Sequence, residues 1–381
     1  MKHYDFIILG AGASGLMTAY RMANDSYFDG TSILLIDRSK DKGNDRTWSF
    51  WEEGSGEWDD VVYKSWSYIY FGSEWFSDTI HATPYLYKTI RSQDFYNKIW
   101  TVLKSKPNIE FIEDDVLSFY DNADSVVIKT KHKEYKGKKL FNSIVDSEYL
   151  QQKKYPVLNQ HFLGWFIKTE TDCFDDTVAT FMDFNIPQNG NTRFMYVLPF
   201  SKKEALFEYT LFSKDLLKKS EYEKEIQAYL KSKSIDNYTI TEKEYGVIPM
   251  TSYKFHKHNT KNILNIGTAG GWTKASTGFT FMNTSKKTQS LISFLKDQSD
   301  LRKFHRSSKY WFYDLIFLDV LASDNSFGAK LFSSLFKKCS IHTVFRFLDE
   351  TSSFKQDIKV ISSVPPKRFV HAFFRRLFQG W

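Results

Sequence analysis

The chain begins with a short apolar run, Tyr4 to Leu9 (YDFIIL), closed by Gly10. A short apolar run ended by glycine predicts a buried strand. Apolar positions then recur at helical spacing from Ala13 to Ala23, and Ile33 to Ile36 (ILLI) forms a second buried run. Strand, helix and strand in this order make a βαβ unit, whose crossover should be right-handed. From Trp48 to Tyr87 aromatic residues recur without a helical period, which predicts strands and loops packed against something large. A helix is expected over Ser92 to Leu103, two alternating strands over Ile109 to Lys131, and a short strand over Ser143 to Val145. The stretches Trp165 to Phe184 and Phe194 to Phe212 alternate as antiparallel strands do, and LPFSKKEALFEYTLFS places a hairpin turn at Ser201–Glu204. Leu216 to Lys233 reads as a charged surface helix. Ile263 to Ile266 reads as a buried strand returning to the first sheet, and a helix runs from Gly278 to near Leu295. The remainder is helical, aromatic and basic, with no internal repeat and no low-complexity linker.

The length of 381 residues fits two domains, or one large domain with an insertion. At 42% hydrophobic and 25% charged residues the chain is of folded type. The aromatic content of 18% changes the picture, because so many flat rings can line an extended apolar cavity. Two cysteines, Cys173 and Cys339, make no disulfide framework, and the nine histidines show no metal spacing. No metal is expected, and a reducing, cytoplasmic setting is the default. No signal peptide is visible, and the apolar stretch Tyr310 to Ala322 is broken by Asp314 and Asp319, short of the roughly 18 residues of a span. Charge is uneven: residues 301–381 carry fourteen Lys/Arg against six acids, whereas the first 300 residues sit at −1. An anionic partner should therefore meet the tail first. Nucleic acid is disfavoured, since the tail has no binding motif.

The chemistry concentrates at two glycine clusters. Gly10-Ala11-Gly12-Ala13-Ser14-Gly15 lies between strand and helix, and Asp37 ends the next strand. Gly10 permits a tight turn, Gly12 lets the backbone approach a pyrophosphate, and Gly15 lets the helix pack close to the strand. The helix N-terminus, with Ala11 and Ser14, faces the anion, and Asp37 can accept from ribose hydroxyls. This motif alone does not separate FAD from NAD. The second cluster, Gly267, Gly270, Gly271 and Gly278, follows the strand ILNI and precedes a helix. A second such turn late in the chain suits the ribityl and ring end of a flavin.

These clusters, with what lies between them, resemble the bacterial lycopene β-cyclases of carotenoid biosynthesis, in their Bacteroidetes-type branch. Asn44 to Phe50 (NDRTWSF) is similar to the family's Asn-His-Thr-Trp-Ser-Phe motif with one extra residue. Ile90 to Phe95 (IRSQDF), Leu206 to Thr210 (LFEYT), Gly246 to Met250 (GVIPM) and Gly271 to Phe279 resemble further family motifs, in the same order. Tyr209 stands where a second acid often follows the first. Ala275 and Phe279 replace a usual Pro and Tyr, and Asp146 to Tyr149 replaces an Asp-Gly-Arg-Gly turn.

The resemblance implies a Rossmann-like FAD-binding α/β domain of the glutathione-reductase/hydroxylase type, an inserted antiparallel β-sheet substrate domain and a helical C-terminal region. The expected divisions are 1–60, 88–155 and 245–300 for the FAD domain, 61–87 and 156–244 for the substrate domain, and 301–381 for the helices. It implies redox-neutral, acid-catalysed closure of the ψ-ends of lycopene to β-ionone rings, with reduced FAD and with NAD(P)H as reductant. Glu208 would be the acid, and Arg91 would join the glycines in holding the cofactor. Alternation puts Leu206, Glu208 and Thr210 on one strand face and Phe207, Tyr209 and Leu211 on the other, more core-like face. Pattern alone therefore leaves Glu208 open between a surface acid and a site acid. Trp48, Phe50 and Trp272 are either core or cavity lining, and Asp146 either a loop acid or a group near the cofactor. The substrate dissolves in bilayers, so peripheral association at the inner face of the cell membrane is expected. In the closing helix Phe369, Phe373 and Leu377 share a face, with Arg368, Arg375 and Arg376 nearer its rim. A flavin oxidoreductase on an isoprenoid is the alternative enzyme, and a flavin-holding carotenoid-binding protein the non-enzymatic one.

Overall fold

The computed structural model describes residues 2–379 and the side chains of 2–378; Met1, Gly380 and Trp381, the ends of the expected first and last regions, lie outside the described residues. The first buried run forms the strand His3–Leu9, which pairs in parallel with Ile33–Asp37 on one side and Glu134–Asn142 on the other. Ile109–Glu113 and Ile263–Asn265 extend the parallel sheet at its two ends. Val116–Asp121 and Val126–Thr130 add an antiparallel arm. The helices Ala13–Ala23, Ser92–Lys104 and Phe281–Asp297 cover one face, burying Leu16, Met17, Phe95, Ile99 and Leu291 against Ile8, Leu35 and Phe141.

The short strand expected over Ser143 to Val145 is displaced. The strand is the preceding segment Glu134–Asn142, and residues 143–145 are irregular. Its lysines hid it from the hydrophobic pattern, yet Gly137 lies so close to the first strand that a Cβ there would come within 2.9 Å of the Ile7 side chain. Residues 109–131 likewise carry three strand segments rather than two, and the late helix begins at Phe281 rather than Gly278.

A second sheet has seven strands, in the order Thr239–Met250, Leu158–Lys168, Glu204–Ser213, Thr192–Pro199, Val178–Asp183, Tyr68–Gly72 and Asp78–His81. Its pairs are antiparallel except Val178–Asp183 with Tyr68–Gly72. Phe200 and Ser201 N–H groups donate to the Glu204 carbonyl, closing the predicted hairpin. One sheet face carries Trp165, Phe207, Tyr209 and Leu211, which pack against the helix Lys219–Ser232. The other presents Phe166, Leu206 and Phe212 to a layer of C-terminal helices, Lys309–Ser323, Gly328–Lys338, Ile341–Leu348, Phe354–Ser363 and Pro366–Gln379. Thr47–Glu53, Tyr85–Arg91 and Val62–Trp66 form a three-stranded antiparallel sheet.

Candidate active site

The first glycine turn is built as backbone sterics require. Gly10 has φ +91°, which side chains rarely adopt. A Cβ on Gly15 would lie 1.8 Å from the Gly10 carbonyl oxygen, so only glycine lets the helix approach the turn. Gly12 caps that helix with no side-chain partner, leaving N–H groups at the positive end of the helix dipole. Asp37 accepts from the Ala11 N–H at 2.5 Å, the Ser39 N–H at 3.0 Å and Lys42 Nζ at 2.8 Å, and so sits against the turn.

The second cluster comes to the same place. Gly267 has φ +58°, and a Cβ there would lie 2.3 Å from Ser14 Oγ, so two turns some 250 residues apart in the chain touch. Between Gly271 and Gly278, Lys274 is buried and pairs with Asp314 and Glu350, each at 3.1 Å, tying this loop to the C-terminal helices.

A single cavity of about 720 Å³ runs from this junction. Gly12, Ser14, Arg38, Lys42, Gly267 and Thr268 line one end. It passes Trp48, Ser49 and Gly278 to Tyr196, Glu208 and Glu244, and reaches Phe332, Phe336 and Val344 of the C-terminal helices. Four buried polar atoms on its wall have no partner among the described residues: Gln160 Oε1, Thr277 Oγ1, Thr284 Oγ1 and Glu244 Oε2. Buried polar groups are rarely left unpaired, so this wall is shaped for a polar ligand. A dinucleotide carrying a polar ring fits it: anionic groups at the free helix N-terminus, hydrogen-bonding ring edges at Gln160, Thr277 and Thr284.

The carboxyls arise from sheet register. Tyr196 stands opposite Glu208, Glu208 opposite Gly164, and Gly164 opposite Glu244, so these four form one row across four strands. Opposed residues share a sheet face. Burial, together with the Glu244 charge, pushes the Glu208 carboxyl up to about 8, against a lowering by its hydrogen bond from Thr210 Oγ1 at 2.7 Å. Glu208 is therefore largely protonated at neutral pH. Burial raises Glu244 to about 7, offset by Thr47, whose N–H donates to Oε1 at 3.0 Å, and by Arg46 and Arg91. Tyr196 and Tyr87, joined hydroxyl to hydroxyl at 2.7 Å, stay neutral because burial raises both. A neutral carboxyl in an aromatic cavity can give a proton to an electron-rich carbon, and ring faces stabilise the cation that results.

Of the residues expected at the site, Gly12, Ser14, Gly267, Gly278, Trp48 and Glu208 line the cavity. Gly10, Ala11, Gly15 and Asp37 shape the turn behind it. Arg91 departs from the expected cofactor contact. Its guanidinium pairs with Glu242 and lies 4.1 Å from the Phe166 ring centre, because the strand Tyr85–Arg91 ends beside the edge strand of the large sheet. Gly270 and Gly271 turn away too: Gly270 borders a separate groove with His256, and Gly271 packs at φ +68° beneath the Phe255 ring. Phe50 and Trp272 are core residues, stacked with Phe281 and packed against Phe304. Asp146 caps a short turn through the Glu148 N–H. Arg376 does not sit at a rim. It is buried and holds Asp319 at 2.6 Å and 2.7 Å. Sequence reasoning missed Glu244, because TITEKEYG reads as an exposed charged strand. The only signal was its place two residues before Gly246.

These features define a fold class, a mixed α/β architecture of two sheets and a helical C-terminal region that solved flavin-dependent enzymes also have. The chain is similar to a geranylgeranyl bacteriochlorophyll reductase-like protein from Thermoplasma acidophilum, at TM-score 0.68 and 12% identity over 98% of this chain and 99% of that one. It is also similar to the flavin-dependent brominase Bmp2, at TM-score 0.55 and 12% identity with 100% of each chain covered. A halogenase, PltM, solved in complex with FAD, gives TM-score 0.59 and 12% identity over 99% of this chain and 91% of that one. No curated protein matches the sequence. The family described as lycopene cyclase protein matches residues 5–377, and the chain belongs to that family of carotenoid-cyclising enzymes.

Proposed function

We propose that the protein is a lycopene β-cyclase that binds FAD across the two glycine turns and closes ψ-ends into β-ionone rings, giving γ-carotene and then β-carotene. The observation that carries this reading is the continuous cavity joining the Gly12–Gly267 junction to Glu208 and its aromatic walls. Gly12, Ser14, Gly267 and Thr268 would hold the cofactor, with Arg38 and Lys42 beside its anionic part. A reduced flavin, with NAD(P)H as the source of its electrons, would supply an electron-rich ring that stabilises positive charge. Glu208 gives its proton to the terminal alkene. Phe181, Phe194, Tyr196 and Phe279 line the space around the cation without offering a strong nucleophile, and bound substrate has to displace the water that would trap it. Expression in a lycopene-accumulating host, with pigments separated by HPLC, should convert lycopene to cyclic products; unchanged lycopene would remove the reading.

The likeness to a reductase-like protein favours a second reading, an FAD-dependent oxidoreductase on an isoprenoid. It requires NAD(P)H consumption equal to product, whereas cyclisation needs catalytic amounts.

The substrate's solubility calls for a membrane surface, and we place the protein peripherally at the cytoplasmic face. No helix among the described residues is long and apolar enough to cross a bilayer. The last two helices expose Phe354, Ile358, Val370, Phe374, Leu377 and Phe378, with Lys355, Lys359, Lys367 and Arg368 on the same two helices. That combination suits the interface of an anionic leaflet.

A further inference from the structure

We infer that Glu244 is a second catalytic carboxylate, the group that takes the proton from the ring carbon after Glu208 has given one to the alkene. The inference rests on the cyclase reading and adds the acceptor that this reading leaves unassigned.

Three observations carry it. First, the row Glu208–Gly164–Glu244 places two carboxyls on one sheet face, two strands apart, with no side chain between them. Strand spacing puts their Cα atoms roughly 9.5 Å apart. Gly164 is what keeps the gap open, since a Cβ there would lie 2.8 Å from the Leu206 side chain and 3.6 Å from that of Glu208. Second, Glu244 is buried and held from one side only. Oε1 takes the Thr47 N–H, while Oε2 lacks any partner among the described residues and belongs to the cavity wall. A buried, unpaired carboxylate oxygen is costly to keep, and a proton-accepting task accounts for it. Third, the surroundings divide the two roles. Burial raises both carboxyls, but the Thr47 N–H, Arg46 and Arg91 favour the ionised form of Glu244, whereas the Glu244 charge favours the neutral form of Glu208 against its hydrogen bond from Thr210. Two carboxyls whose environments differ in this way are an acid and a base.

The step balances without an oxidant or a reductant. The Glu208 O–H bond breaks, and the alkene π pair forms the new C–H bond. The π pair of the neighbouring alkene then closes the ring, moving the charge to the next tertiary carbon. The adjacent C–H bond breaks, its electron pair becomes the ring double bond, and the proton passes to Glu244. Return of that proton to Glu208 across the Gly164 gap resets the pair.

The test compares wild type, Glu208→Gln, Glu244→Gln and Glu244→Asp as FAD-loaded proteins, with lycopene in vesicles and D2O as solvent. Flavin content and melting temperature report on folding. Glu244→Gln should form β-rings at least about 100-fold more slowly, the scale of a lost general base. Deuterium should then appear in recovered lycopene, because the first cation reverts, or in ring isomers that have lost a proton from a neighbouring carbon. Glu208→Gln should show neither label nor rings. Glu244→Asp should keep β-rings as its product at a reduced rate, which guards against a Gln variant that does not fold. Unlabelled lycopene with no turnover in a folded Glu244→Gln would overturn the inference, since Glu244 would then act before protonation. β-Ring formation within about threefold of wild type would overturn it as well. If wild type leaves lycopene unchanged, the cyclase reading fails, and the inference fails with it.

Discussion

The two ends of the cavity are specified in different ways. At the nucleotide end the information is local and steric: Gly10, Gly12 and Gly15 lie within six residues, Gly10 fixed by its dihedral angle and Gly15 by a close approach, with Gly12 capping the helix between them. At the carboxyl end it is distributed and electrostatic: Tyr196, Glu208, Gly164 and Glu244 come from four strands and mean nothing until register aligns them. At Gly10 and Gly15 the local device tolerates no extra atom. A distributed one tolerates shape changes but not changes of charge or proton count.

That contrast can be broken experimentally. The largest effect should come from Glu208→Gln, which keeps shape and removes the proton. Cyclisation should fall by about 10²–10⁴-fold with FAD still bound at wild-type stoichiometry, read by pigment HPLC and flavin absorbance. Gly15→Ala should do the reverse. Its methyl would overlap the Gly10 carbonyl, so flavin per protein should collapse, with a stability loss of about 1–3 kcal/mol by thermal melting. A variant that keeps both flavin and stability would show that the turn is not held by this approach.

The pH dependence sharpens the electrostatic half. Activity should fall as pH rises through about 8, where Glu208 loses its proton. The same shift acts on stability. A carboxyl whose folded value is raised contributes stability that is complete below its unfolded value of 4.5 and is lost as pH rises through about 8. Melting temperature should therefore decline across that window, and decline less in Glu208→Gln. The smallest effect is expected at the membrane face. Phe374→Ser and Phe378→Ser should each weaken vesicle flotation by about tenfold, as losing one partly inserted ring implies. Removing the whole last helix is a poorer test. It would strand the buried Asp319 without Arg376, at about 3–5 kcal/mol.

In the first sheet, His3–Leu9 and Ile33–Asp37 were legible because they are continuous apolar runs and the turn between them uses glycines at fixed offsets. The helix Ala13–Ala23 and the hairpin at Ser201–Glu204 follow from that kind of signal. Glu134–Asn142 was not legible, since a central strand whose pattern carries Lys136, Lys138 and Lys139 looks exposed. Glu208 was visible in outline only: alternation gave its face, but not which face bounds a cavity, because both sides of that strand are buried. Glu244 and the Arg91–Glu242 pair depend on contacts between distant strands, and no local pattern encodes them.

Lys274 carries one more implication. The late glycine turn is bolted through a sheltered ion cluster to Asp314, on the helix Lys309–Ser323, and to Glu350, in the turn after the helix Ile341–Leu348 that lines the cavity's far wall. Nucleotide turn and helical wall are thus joined by charge, and removing either acid would leave a buried ammonium short of a partner at the cofactor end.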